Sequence, residues 1–183
     1  RQALIYHLYA VVQKLKDKCF HLRAAYEVPL EQKGDELDEA KDPGLSPLIR
    51  GQLCTRLAAV LLDGFNDWSV FRKYHIWDFI LEATPDRSTP TQTTFEAIQM
   101  RTVIDDIHAS SSDANIKFRT FVVTALNQRR LFAWMRILLQ NKQEVEDYYD
   151  EISLMRQLPV MLLNALAPLS DLPFQLSTRI EPA

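Results

Sequence analysis

From Leu4 to Leu22, apolar residues recur every three or four positions: Leu4, Leu8, Val11, Leu15, Cys19 and Leu22, with Ile5 and Val12 widening the stripe. That period marks an amphipathic helix, and no Gly or Pro interrupts it before Pro29. Residues 27 to 46 then break the pattern with seven acids against two lysines, two prolines and two glycines. Such a run reads as a solvated, flexible linker or loop. Periodicity returns from about Ser46, where Pro47 suits a first helical turn. Ile49, Leu53, Leu57, Val60 and Leu61 mark a buried face, and Gly64 is a stop.

The aromatic-rich stretch from Trp68 to Glu82 predicts short helices, and residues 84 to 93 a polar loop. Helix resumes through Phe95, Ile98 and Val103 and ends near the serines at 110 to 112. Asp113 is placed to cap the next helix, whose face is Phe118, Phe121, Val122 and Ala125. After a break near Asn127 comes a second face of Leu131, Trp134, Met135 and Leu138. Segments through Tyr148–Tyr149 and from Leu158 to Leu166 complete the chain. Alternating strand pairs with hairpin turns are missing, so the expected fold is an all-α bundle of about seven to nine helices with an additional long N-terminal helix. The expected organisation is an N-terminal helix over 1–26, an acidic linker over 27–45 and a helical domain over 46–178.

Composition narrows the function classes. A length of 183 residues suits one domain, or one with an attached arm. The 47 % apolar and 25 % charged shares are those of a globular protein. A net charge of −3 argues against nucleic-acid binding, which needs many neutralised phosphates. Cys19 and Cys54, both in apolar helical patterns, read as reduced thiols, which points to the cytoplasm. No apolar run approaches a membrane span and no signal peptide is present, so direct membrane insertion is not expected. A start at Arg1 rather than Met is expected of a domain cut from a longer protein.

Candidate chemistry is sparse. His7, His21, His75 and His108 have no pair at helical ligand spacing, and neither cysteine has a near neighbour of its kind, so no metal site is expected. Phosphate-cradling glycine loops and a nucleophile elbow are missing, so neither cofactor nor catalysis is expected. Asp105, Asp106 and His108 resemble a metal fragment only by common spacing, and the carboxylates of 144–151 read as a helix start or a solvated face. Charge, by contrast, is polarised. Residues 114 to 143 hold Lys117, Arg119, Arg129, Arg130, Arg136 and Lys142 without one acid, and Glu144, Glu146, Asp147, Asp150 and Glu151 follow directly.

The run KFRTFVVTALNQRRLFAWMRILLQNKQEVEDYY, Lys117 to Tyr149, carries the most specific signal. It resembles the core of the RUN domain family, with Arg119, Ala125, Leu126, Asn127, Arg129 and Leu131 in step, Phe121 in the Trp place, and Tyr148–Tyr149 as the downstream aromatic pair. LCTRLAAVLLDGF (53–65), IWDFILEA (76–83) and LLNALAPLSDLPFQL (162–176) resemble its flanking blocks, in order, so the resemblance covers about residues 46–178. Departures are Val123 in place of a second Arg, Asp63 where many members carry His, and a longer 84–93 loop without the G-R pair before the central helix.

The resemblance implies a non-catalytic adaptor that engages a small GTPase of the Rab, Rap or Arf-like groups, or a motor, cytoskeletal or trafficking partner, peripherally on endomembranes. It maps the family's GTPase-linked basic pair to Lys117 and Arg119. At 100° per residue, Lys117 and Arg119 flank the Phe118 stripe on opposite sides and do not converge. Arg129 and Arg136, seven residues apart, share a face opposite Leu131, Trp134 and Leu138. Together with Arg130 these are the expected partner-binding residues. A rival expectation is a structural assembly module, self-associating through the Leu4–Leu22 stripe of residues 1–26 with no GTPase involved.

Overall fold

A computed structural model describes residues 1–25, 37–68, 72–86 and 94–179. Among the described residues the chain forms nine α-helices: α1 (Gln2–Ala25), α2 (Cys54–Leu61), α3 (Ile76–Ala83), α4 (Phe95–Ser110), α5 (Ala114–Asn127), α6 (Leu131–Gln140), α7 (Lys142–Tyr148), α8 (Leu154–Gln157) and α9 (Pro159–Leu166). A π-helical segment, Pro47–Leu53, leads into α2, and a 3₁₀ turn, Ala167–Asp171, follows α9. Two short strands, β1 (Leu37–Asp38) and β2 (Phe174–Gln175), pair in parallel. The fold is all-α, with a long N-terminal helix, as the periodicity predicts.

α5 is the central element. Phe121 and Trp134 stack at 5.7 Å between ring centroids, and Trp77 meets Phe121 edge-on at 6.5 Å. All three rings are buried. This axis joins α3, α5 and α6. α5 starts where Asp113 caps it, its carboxylate accepting the amides of Asn115 at 2.7 Å and Ile116 at 3.1 Å.

The amphipathic stripe of α1 is used inside the chain. Ile5, Leu8, Val11, Val12, Leu15 and Cys19 are buried, and the helix packs on α2, α9, the π-helical segment and the 3₁₀ turn. The helix thus forms a wall of the bundle, with these stripe residues turned into its interior. The side chain of Leu22 lies outside the described residues.

The acidic linker departs from its sequence reading over its second half. Leu37 and Leu45 are fully buried, and Glu39 ion-pairs with Arg50. Two leucines within the acidic run supply burial that a count of charges misses. Residues 27–36 of that expected linker, and 87–93 of the expected polar loop, lie outside the described residues.

Gly64 closes α2 as expected. Its φ is +67°, and a Cβ there would lie 2.7 Å from that of Ser153, so the position demands glycine. Asp63 is equally committed. It accepts the Leu154 amide at 2.9 Å and ion-pairs with Arg1 at 3.2 Å, so its charge binds the start of α8 to the start of α1.

Candidate functional site: a basic turn between two grooves

The connection from α5 to α6 is a tight turn, Gln128–Arg130. The Arg130 amide donates to the Ala125 carbonyl at 2.7 Å and the Arg129 amide to the Leu126 carbonyl at 2.9 Å. These are the two bonds of a Schellman motif, which needs a left-handed residue just past the helix cap. Arg129 fills that place with φ 57°. Glycine is the usual occupant, because a Cβ in that conformation is strained.

Arg130 is the N-cap of α6, yet its side chain makes no capping hydrogen bond. Short polar side chains serve that position best, and the positive end of α6 disfavours a cation, whereas the carbonyl end of α5 favours one. Two adjacent arginines therefore stand where local folding rules prefer other residues.

Each side of the turn opens onto a groove. On one side, Phe95, Ile98, Gln99, Thr102 and Val103 of α4 face Gln128 and Arg130 across about 520 Å³. Phe95 is 78 % exposed and Ile98 43 %. An Arg130–Glu96 ion pair of 3.4 Å lies at its rim. On the other side, Asn127 and Arg129 face Pro173–Leu176 across about 610 Å³. There Asn127 donates to the Leu176 carbonyl at 2.9 Å and accepts its amide at 2.8 Å, pinning the end of β2 to α5.

The other sequence-derived candidates are scattered. Lys117 is 8 % exposed; its ammonium lies 3.5 Å from His108 Nδ1, the atom that accepts Trp77 Nε1–H at 3.1 Å. Its cation belongs to the packing of α3, α4 and α5 and not to a surface. Arg119 is half-buried on the α2 side of α5. Burial pushes the Cys54 thiol up to about 12, and the Arg119 and Arg50 guanidiniums pull the other way. Arg136 is exposed on α6 with its guanidinium 5.8 Å from the Phe132 ring centre.

Arg129 precedes α6 in its left-handed turn, so the helical face it was expected to share with Arg136 does not exist. Among the described residues Arg119, Arg129 and Arg136 have no ion pair, and the structure brings only Arg129 and Arg130 side by side. Sequence reasoning missed Phe95 and Ile98 as surface groups, because helical periodicity reports a stripe without saying which stripe faces in.

Burial raises the Glu144 carboxyl, helped by Glu82 and Asp147. Asp105 pairs with Arg101 at 3.0 Å. No group of three or more His, Cys, Asp or Glu among the described residues is placed to hold a metal ion, and no helix among them is long and apolar enough to cross a membrane.

A bundle built around a buried central helix, with a short C-terminal strand and an open basic turn, defines an all-α helical domain. The chain is a member of the RUN domain family: the RUN domain model matches residues 52–180, close to the 46–178 read from the sequence. It is also similar to Small G protein signaling modulator 3 of Bos taurus, 27 % identical over 146 residues, covering 65 % of this chain and 19 % of that protein. The proteins of the same name from Rattus norvegicus and Homo sapiens are 25 % and 26 % identical, with the same coverage. The chain thus spans about a fifth of the length of the curated relatives it matches.

Proposed function

We propose that this RUN domain is a non-catalytic docking module for a small GTPase of the Rab, Rap or Arf-like type, or for a motor or trafficking partner of the same membranes. Docking runs through Arg129 and Arg130 at the α5–α6 turn. The observation that carries the reading is Arg129 itself. A non-glycine residue held in a left-handed turn costs stability, and such outliers concentrate where a side chain is needed for function. Arg129 has no ion pair among the described residues, so its guanidinium is available to an acidic partner surface. Charges of this kind steer encounter and set specificity more than they supply affinity. The relatives' shared name, a modulator of small G protein signalling, supports the same partner class.

Capture of purified Rab, Rap and Arf-like GTPases, each loaded with GTP analogue or GDP, tests the reading. At least one should bind preferentially in its GTP state, and Arg129→Glu with Arg130→Glu should weaken capture tenfold or more. Capture that ignores the nucleotide, or survives both charge reversals, contradicts it.

A further inference from the structure

We infer that the groove beside β2 seats a short, extended, acidic segment of the partner, paired to the strand's open edge, an inference that rests on the docking role proposed for Arg129. Pro173 and Gln175 turn their main-chain groups toward β1. The Leu37 amide donates to the Pro173 carbonyl at 2.7 Å and the Glu39 amide to the Gln175 carbonyl at 3.0 Å. Successive residues of a strand direct N–H and C=O to opposite edges, so Phe174 and Leu176 present theirs on the side away from β1. At Leu176 the Asn127 side chain stands in for a neighbouring strand, accepting the amide and donating to the carbonyl. At Phe174 no such substitute exists. Its N–H and C=O have no hydrogen bond among the described residues, although the residue is buried. Buried main-chain groups are almost always paired, and an unpaired strand edge is a template for another chain.

Backbone chemistry and charge together select the occupant. A helix spends its own N–H and C=O groups internally, whereas an extended segment offers both to Phe174. Arg129 is the one charged residue lining this groove, alongside Asn127 and Pro173–Leu176, and it has no ion pair among the described residues. A carboxylate on the segment meets the Arg129 guanidinium in a charge-assisted hydrogen bond, and a lysine in its place is repelled. The same geometry gives the left-handed Arg129 a use: a glycine there would suit the turn but leave the open edge without a cation.

The test uses the full chain, ¹⁵N-labelled, and three synthetic peptides. One alternates valine and aspartate, the second is the same peptide N-methylated along its backbone, and the third replaces aspartate by lysine. The acidic peptide should shift the amides of Asn127, Arg129, Phe174 and Leu176 and slow hydrogen exchange at Phe174. It should bind at least fivefold more tightly than either of the others, and at least fivefold more weakly to Arg129→Gly. A melting temperature no lower than wild type verifies the fold of that variant. Absence of a shift at Phe174, or binding of the N-methylated or lysine peptide as tight as that of the acidic one, overturns the inference. The GTPase panel provides the second arm. A GTP-loaded protein that is captured, is not displaced by excess acidic peptide and leaves exchange at Phe174 unchanged overturns the strand-edge pairing and leaves the GTPase reading standing. Acidic-peptide binding with these signatures and no GTPase captured does the reverse.

Discussion

At Arg129 the backbone φ of 57° brings the Cβ against its own peptide unit, a strain that glycine does not feel. Arg129→Gly should therefore stabilise the fold by about 0.5–1 kcal/mol, seen as a higher melting temperature, while partner capture weakens. Loss of stability instead would mean that the guanidinium holds the turn together. The sequence indicated a basic residue after a helix break but not its left-handed conformation, because the QRR run carries no glycine to announce a Schellman turn. A second residue-scale expectation concerns the thiols. Cys19 and Cys54 are both buried, and burial leaves the Cys54 thiol protonated at neutral pH. A thiol reagent should react with neither in the native protein and with both in denaturant; rapid reaction of Cys54 in the native state would contradict the packing of α2.

Between elements, the β1–β2 pair acts as a latch beside the end of α5. Burial alone would raise the Glu39 carboxyl, but the Ser177 amide, the Ser46 hydroxyl and the Arg50 guanidinium together hold it below the ordinary carboxylate range. Arg50 also donates to the Ser177 carbonyl, so one ion pair ties β1, the π-helical segment and the chain after β2. The folded state favours charged Glu39. Its stabilisation is complete above the ordinary carboxylate range and is lost as pH falls through the lowered folded value. Relative to the intrinsic exchange rate, protection of the Leu37, Glu39 and Ser177 amides should fall below about pH 4, and Glu39→Gln should remove that acid step. An unaltered pH profile in the variant would assign the latch to packing alone.

α1 shows how far periodicity reaches at this scale. Its spacing located the helix and the buried side, but an amphipathic stripe reads the same whether it meets its own bundle or another chain. The same ambiguity in α4 hid the exposure of Phe95 and Ile98. Lys117 illustrates a related limit: family resemblance marks a basic position, and only three-dimensional packing shows its ammonium turned toward His108.

Across the whole molecule, the folded unit is larger than the stretch that identifies the family. The match begins at residue 52, yet Ile5, Leu8, Val12, Leu15, Leu37, Leu45 and Ile49 all belong to the buried core. Each such side chain is worth about 1.5–3 kcal/mol when fully buried, so losing them strips one wall of the core. A fragment of residues 52–180 should be aggregated or lack a cooperative thermal transition, while the full chain melts cooperatively; a well-folded fragment would show that α1 is dispensable. Fold class was legible because helical periods and the ordered RUN-like blocks agree. The proposed docking surface was legible only in part, since the left-handed turn joining α5 to α6 carries no glycine to mark it.

Hydrogen–deuterium exchange on the chain, alone and with GTP-loaded members of the Rab, Rap and Arf-like panel, tests the docking account most directly. Protection on binding should concentrate in residues 127–136 and disappear in Arg129→Glu with Arg130→Glu. Protection confined to α1 or the β1–β2 latch, or no protection with any GTP-loaded member, would contradict it.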